Sequence, residues 1–338
     1  MIRGMEGMRP AVWIQRLLVL GVVLLPLPLH ADTTADRLLQ SRLAEGYVTA
    51  LLLTEGENVR LGFLNFDPNS ILPVDDDLLG NDVALAERDR LAYFSVPTRW
   101  LLPRSDALNT VSVGVRASVM EEREEVFLAE PSALRRDDVT TRHMVASTDL
   151  LWRHHLSSRW KVDSAVAAHY IHQRNSTDFN SEESLAVAPL FNGRSTNFSS
   201  RAWMLSPRVA LRYWGGPQQS RLEYFSVLTY MNGRAIGPDL PAHDAAPEAW
   251  HWSNGVEKKF QVYRGSVPQT VMTRFARVDV GADLREPVGT NYYYELGIGW
   301  YSAVPETVPF VDNAGLVLNF NYGSNFRGGT LGFLLNVE

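Results

Sequence analysis

The segment Ala276–Arg285, ARVDVGADLR, alternates apolar residues with charged residues or glycine along its whole length. Successive side chains of a β-strand point to opposite faces of a sheet, so this period of two predicts a strand with one apolar and one charged face. Thr110–Val119, TVSVGVRASV, repeats the pattern, with valine or alanine at every second position. The chain after Val59 is therefore predicted to be all-β.

Segments of this kind recur to the C-terminus, and the connections between them alternate in length. Short turns such as Ser157-Ser158 and Gly215-Gly216-Pro217 are followed by long polar loops such as 175–200 and 233–248. Aromatic residues lie near the segment ends, like the girdles at the two membrane interfaces of outer-membrane barrels. About twelve strands are predicted, at 59–66, 91–101, 109–120, 142–156, 159–173, 201–214, 220–232, 249–264, 271–285, 291–302, 312–322 and 328–337.

These features predict a single closed antiparallel transmembrane β-barrel over residues 59–338, with its apolar faces turned to lipid. The mature chain has no apolar run of the ~18 residues that indicate a spanning helix, and a closed barrel is the other structure that satisfies every backbone hydrogen bond in a bilayer. An even number of strands places both termini at the periplasmic end, where the turns are short. A soluble periplasmic β-protein is the alternative, because a β-sandwich also alternates.

Residues 1–31 are predicted to be a secretory signal peptide. Three arginines precede the apolar run Leu17–Leu25, and Leu29-His30-Ala31 offers a cleavage site. A membrane anchor is the alternative, although the run is shorter than the ~20 residues that span a bilayer. Within the next segment, 32–58, Thr33–Thr54 carries apolar residues at spacings near 3.6 and predicts a helix. The expected location is the outer membrane of a Gram-negative bacterium.

The composition excludes several classes of function. The 338 residues contain no Cys, so disulfides and thiolate metal sites are excluded. The formal net charge is -6, and the basic residues are scattered, so no nucleic-acid partner is expected. No histidine or carboxylate spacing is typical of a metal site, and no glycine motif is typical of a nucleotide site. Neither a metal nor a cofactor is therefore predicted.

The C-terminus carries a pattern of its own. Thr330-x-Gly332-x-x-Leu335-x-Val337 resembles the terminal signal by which the barrel-assembly machinery recognises its clients. The two bulky positions here are aliphatic rather than aromatic, and Glu338 follows them. The resemblance implies that this machinery is a partner of the chain, beside the outer-membrane lipid and lipopolysaccharide that surround an integral barrel.

A wider resemblance rests on four stretches: RLGFLNFDP at 60–68, ARVDVG at 276–281, YYYELGIGW at 292–300 and NFNYGSNFRGG at 319–329. With them the chain is similar, over nearly all of its mature length, to the solitary outer-membrane autotransporter-like β-barrels. The resemblance implies a twelve-stranded barrel without a passenger domain. Autotransporter barrels carry a helix through the pore, and Thr33–Thr54 could be that helix in the lumen. The family supplies no activity.

One short motif suggests chemistry. In His251-Trp252-Ser253-Asn254, the first and third residues share one face of a strand, and a histidine beside a serine can act as its general base. The string resembles the active-site motif of outer-membrane phospholipase A and of lipid A deacylases. That resemblance implies a lipid hydrolase with His251, Ser253 and Asn254 on the lipid-facing wall. The other interpretation is a polar strand start at the level of the lipid headgroups, without catalysis.

Charged residues opposite the apolar faces are predicted to line the lumen: Arg208, Arg212, Glu223, Arg277, Asp279, Asp283, Arg285 and Glu295. Such residues tune a water-filled pore, or they pair across strands and stiffen the wall. We therefore expect a non-enzymatic pore or scaffold of undefined substrate, with lipid hydrolysis as the alternative. The sequence leaves the oligomeric state open.

Overall fold

A computed structural model describes residues 34–55, 60–64, 90–103, 108–126, 136–217, 220–265, 267–304, 311, 313–323 and 327–335. Residues 33–338 form one compact unit. The predicted signal peptide, 1–31, lies outside the described residues.

The described residues form twelve β-strands that pair in chain order in one antiparallel sheet, which confirms the all-β antiparallel fold class. The strands are β1 (Arg60–Leu64), β2 (Arg90–Leu101), β3 (Asn109–Val126), β4 (Asp137–His155), β5 (Trp160–Asp178), β6 (Ser199–Gly215), β7 (Ser220–Ala235), β8 (Glu248–Tyr263), β9 (Gln269–Ala282), β10 (Tyr292–Ala303), β11 (Asn313–Tyr322) and β12 (Arg327–Leu335). Several strands exceed the ~9–11 residues that cross a bilayer.

Helix α1 (Thr34–Thr54) precedes the sheet. The β5–β6 connection contains α2 (Glu182–Phe191), the β7–β8 connection contains a 3-10 turn (Pro241–His243), and the β9–β10 connection contains α3 (Arg285–Val288). The side chain of Ser181 accepts from the backbone N–H of Ser184, which caps the first turn of α2. These three connections lie at the same end of the sheet, here called the long-loop end, and the opposite end is the short-turn end.

The sheet curls around α1. One buried apolar cluster joins Leu43, Tyr47 and Leu51 of the helix to at least one residue of every strand from β2 to β10. A helix that packs against strands so far apart in one sheet lies on its concave side. The two outer strands of the sheet, β1 and β12, also lie next to each other.

Strand β4 shows the two faces clearly, because its residues alternate between buried and exposed positions. His143, Val145 and Ser147 are buried on the concave face. Leu150 and Trp152 on the convex face are 52% and 44% exposed, although both are large and apolar. Exposed apolar residues on a long run of strands are typical of a lipid-facing wall. This strand has the orientation that the sequence predicted, with its apolar residues outside.

Strand β9 has the opposite arrangement at its long-loop end. Val278 and Val280 are buried in the cluster around α1, so Arg277 and Asp279 lie on the convex face. The prediction that these two charged residues line the lumen is therefore wrong. The physical reason is that α1 needs an apolar wall at this level. The displaced charges pair with each other outside, at 2.6 Å, where the guanidinium also lies over the Tyr292 ring.

The direction of α1 also differs from the expectation for the termini. The helix begins at the long-loop end, where Arg194 and Pro241 contact it, and it runs inward toward the short-turn end. Both termini were expected at the short-turn end, but the first residues of α1 lie at the long-loop end, and the helix runs through the curl before β1 starts. The last described residue, Leu335, follows the expectation and lies at the short-turn end.

Candidate functional site

Helix α1 is held at the long-loop end by two polar contacts to loops. Arg194 Nη2 donates to Asp36 Oδ1 over 2.7 Å, and Gln40 Nε2 donates to the Pro241 carbonyl over 2.8 Å. The Arg194 side chain is 46% exposed, so water competes for this ion pair. The contacts therefore orient the start of the helix more than they stabilise it.

The middle of α1 makes a close apolar contact with the wall. Tyr47, Val48 and Ala50 are fully buried. Gly46 brings the helix close to β4, because a Cβ at this position would lie 3.1 Å from His143 Nε2. The same Cβ would lie 3.4 Å from Gln173 Oε1 of β5. The missing side chain at this position lets the helix lie directly against polar side chains of the wall.

The end of α1 carries the third contact. His251 Nε2 of β8 lies 3.0 Å from Glu55 Oε2, with side-chain exposures of 10% and 25%. Arg116 and Arg208 add favourable electrostatic interactions with this carboxylate. Ser95 Oγ donates to the Thr54 carbonyl over 3.2 Å, which satisfies one of the carbonyls that a helix end leaves without an intrahelical partner. The end of the helix is thus bound by a more buried and more strongly charged set than its start.

A cleft continues from the end of α1 into the curl. It measures about 780 Å³, including the space open to solvent, and its lining includes Glu55, Arg99, Arg116, Asp149, His169 and Arg208. Within it Arg99 Nη2 lies 2.9 Å from Asp149 Oδ2. The buried His169 ring lies between two hydroxyls, with Ser147 Oγ at 2.7 Å and Ser206 Oγ at 3.0 Å. The cleft is polar, with charges of both signs.

Charged residues also connect neighbouring strands near the short-turn end. Asp163, only 4% exposed, lies 2.9 Å from Arg153 Nε and 3.5 Å from Arg212 Nε. Arg212 Nη1 also donates to Glu223 Oε1 over 2.6 Å. The four residues come from β4, β5, β6 and β7, so the network ties four consecutive strands together on the concave face. Such pairs stiffen the wall at its inner surface.

The predicted lumen residues thus fall into three groups. Arg208, Arg212, Glu223 and Glu295 lie on the concave face, the last within 3.7 Å of Arg274. Arg277 and Asp279 lie on the convex face. Asp283 and Arg285 lie beyond β9, in the β9–β10 connection, where Asp283 Oδ2 accepts from the Glu248 backbone N–H and Arg285 is exposed. The alternating residues after Ala282 therefore belong to a turn and a short helix, and the strand does not continue through them.

The structure gives the histidine–serine motif a different position from the one that the enzyme resemblance implies. His251 and Ser253 do share a face, but both are buried on the concave side of β8, and Asn254 occupies the alternate face. In the described part of the chain Ser253 Oγ has no hydrogen-bond partner. The imidazole is bound to Glu55 instead. The implied lipid-facing placement is therefore wrong, because the register of β8 turns the pair toward α1.

Of the C-terminal signal, Thr330, Gly332 and Leu335 lie within β12, and Val337 lies outside the described residues. Among the residues that the structure describes, no group of histidines and carboxylates could hold a metal ion. The same residues include no helix that is long and apolar enough to span a bilayer.

Sequence reasoning missed two residues at the contact between α1 and the wall, Glu55 and His143. Each carries one signal: Glu55 is the first charge after a predicted helix, and His143 lies at a buried alternate position of a strand. Neither signal names a partner, because Glu55 and His251 are 196 positions apart.

A curled antiparallel sheet with an apolar exterior, which curls around a helix and a polar cleft, is typical of the outer-membrane β-barrel type of protein. Residues 44–337 match the family described as the solitary outer membrane autotransporter beta-barrel domain, and the chain belongs to that family. The family points to an outer-membrane location.

Solved structures with the same kind of fold have very different sequences. The transport unit of the autotransporter AIDA-I from Escherichia coli is similar over 88% of this chain and 99% of its own, with 8% identity and a TM-score of 0.48. The β domain of the Bordetella autotransporter BrkA covers 83% and 100%, with 9% identity and a TM-score of 0.46. LpxR from Salmonella typhimurium covers 82% and 98%, with 9% identity and a TM-score of 0.44. No curated protein matches the sequence.

Proposed function

We propose that the chain is a closed twelve-stranded barrel of the outer membrane whose lumen is plugged by α1, and that it acts as a membrane scaffold and not as an open pore. The observation that carries the proposal is the single buried cluster that α1 forms with every strand from β2 to β10. Side chains packed between the helix and these nine strands would block the water path at this level of the lumen.

Closure of the barrel is supported by the position of the outer strands. β1 and β12 lie next to each other although they are the first and last strands in sequence. An exposed strand edge would leave unpaired backbone groups in lipid, where each costs several kcal/mol. Pairing of β1 with β12 removes both edges at once.

The direction of α1 supports a role for the scaffold in presenting the start of this helix at the cell surface. The helix starts at the long-loop end, which is the external end in outer-membrane barrels. A segment at the start of α1 is therefore held at the cell surface. A lipid hydrolase is the weaker candidate, because Ser253 and His251 lie inside the curl and away from lipid.

Surface labelling tests this orientation, and the absence of Cys makes the labelling clean. Leu38→Cys places a thiol on an exposed position of α1 near the long-loop end, and Ser157→Cys places the matched thiol in the β4–β5 turn. A polymer-linked maleimide too large to cross the outer membrane should label Leu38→Cys in intact cells. It should label Ser157→Cys only after the outer membrane is permeabilised, and the reverse result would reject the proposal.

A further inference from the structure

Four arginines occupy the convex face at the long-loop end, on consecutive strands. Arg123 of β3, Arg142 of β4, Arg174 of β5 and Arg201 of β6 are all exposed, and we call them the rim arginines. They alternate with buried positions along each strand, so all four project from the outer wall and not into the lumen.

The register brings these like charges together. Arg142 lies directly opposite Arg174, and Arg201 lies opposite His172, two residues along the strand from Arg174. Opposed like charges on neighbouring strands are destabilising, so a sheet retains them at a cost. Glu121 accepts from both Arg123 and Arg142 and compensates only that side. Among the described residues, no carboxylate forms an ion pair with Arg174 or Arg201.

The rim arginines lie directly beyond the apolar wall. Toward the short turns, Trp203 follows Arg201 by two residues, and Tyr170 lies four residues from Arg174. These two rings pack edge to face at 5.3 Å, and Trp203 is 56% exposed. Leu205 and Val166 below them are 57% and 55% exposed. An aromatic pair between an apolar belt and a charged row marks the membrane–water boundary. The arginines are therefore at the height of the lipid headgroups.

The opposite side of the rim does not share this excess of positive charge. There Arg277 is paired with Asp279 and lies over Tyr292. On β4 and β5 themselves the positive charge also ends within a short distance. Asp138 and Asp178 face each other four residues, or about 13 Å, beyond Arg142 and Arg174, on the side away from the apolar wall. Among the residues whose side chains the structure describes, the basic patch thus lies on β3–β6, and it covers three neighbouring register rows.

We propose that the rim arginines bind the phosphate groups of a phosphorylated glycolipid of the lipid A type in the outer leaflet. Guanidinium groups bind phosphate through two parallel hydrogen bonds, so four of them at the height of the headgroups suit such a ligand. The acyl chains of the same lipid would lie on the exposed wall below Trp203. This inference rests on the proposed outer-membrane orientation, which places the long-loop end in the outer leaflet.

Native mass spectrometry of the purified full chain in detergent micelles tests the proposal with three probes: bisphosphorylated lipid A, the same lipid A after dephosphorylation, and phosphatidylglycerol. The test variant is R174Q/R201Q. The matched control is R159Q/R264Q, which removes two exposed arginines from the short-turn end. Heat-modifiable gel migration of each variant shows that the barrel is intact.

We expect R174Q/R201Q to bind bisphosphorylated lipid A about tenfold or more weakly, since each lost bond is charge-assisted, while the control binds like the native chain. Dephosphorylated lipid A should bind all three proteins equally weakly. Native affinity in R174Q/R201Q would overturn the proposal, and so would phosphatidylglycerol binding as tightly as lipid A. Failure of the barrel itself would be seen separately, as loss of heat-modifiable migration in the native chain.

Discussion

Neutralising the carboxylate at the inner end of α1 should open the lumen more than neutralising the one at its outer end. Glu55→Gln and Asp36→Asn are matched changes, because each replaces a paired carboxylate on the helix by its amide. The pairs differ in burial. The Glu55–His251 side chains are 25% and 10% exposed. In the other pair Asp36 is 12% exposed, but its partner Arg194 is 46% exposed, so water competes for the guanidinium.

The burial sets the magnitude of each effect. A charge-assisted hydrogen bond in a partly buried site contributes about 1.5–3 kcal/mol, and an exposed ion pair about 0–1 kcal/mol. At about 1.4 kcal/mol per factor of ten, Glu55→Gln should raise the population with a displaced helix roughly 10- to 150-fold. Asp36→Asn should raise it by about fivefold or less. Arg116 and Arg208, which also attract the Glu55 carboxylate, place the first variant toward the upper part of its range.

Conductance of single barrels in planar bilayers measures this population directly. The native chain should be closed for almost all of the record, and Glu55→Gln should show frequent openings. His251→Gln should open the lumen to a similar extent, and the double variant should add little, because both changes remove one interaction. Equal opening by Asp36→Asn and Glu55→Gln would refute the reasoning, and so would a Glu55→Gln barrel as closed as the native one.

Three further changes test the wall, the helix contact and the enzyme hypothesis. Asp163→Asn should lower the free energy of unfolding by about 1–3 kcal/mol, because it removes the shared carboxylate from two partly buried guanidinium groups, of which Arg212 keeps Glu223. Urea unfolding followed by gel migration checks it, with the exposed Asp239→Asn as control. Gly46→Leu should open the lumen in the conductance assay, because overpacking against the wall costs about 1–3 kcal/mol. Gly46→Ala should open it less, because alanine also raises the helix propensity by about 1 kcal/mol. Ser253→Ala should leave phospholipid and lipid A turnover in membranes at the native level, and a loss of turnover would restore the hydrolase hypothesis.

The positions of the strands could be predicted from the sequence because one face of each is apolar within the membrane. The predicted β4 segment, 142–156, ends one residue after the observed end, His155, but misses Asp137–Thr141. Those residues, DDVTT, continue the strand at its long-loop end. A strand that extends into water needs no apolar face, so the alternation fades there and the prediction ends early. The observed ends of β3 and β5 are later than predicted for the same reason.

Which face lies inside could not be predicted from alternation alone. Period two separates Val278 from Arg277 but says nothing about the direction in which either points. On β4 the polar face is inside, and on the last half of β9 the apolar face is inside, because α1 packs there. The internal helix therefore inverts the usual rule on this part of β9, although on β4 it packs against a face that also carries polar residues. Where a sequence predicts a helix in the lumen, some strands should therefore be expected to turn apolar residues inward against that helix.

The histidine–serine motif shows why a short string does not carry a function by itself. Two residues apart on a strand, His251 and Ser253 must share a face, and the sequence predicted that much. The role of the imidazole depends on what occupies its nitrogens, and Nε2 is occupied by a carboxylate that arrives from the end of α1. A general base needs a free nitrogen directed at the hydroxyl, but Ser253 Oγ receives no hydrogen bond within the described residues. The same histidine that suggested hydrolysis therefore binds the end of α1. In the proposed plugged barrel, its contribution to closing the lumen depends on Glu55.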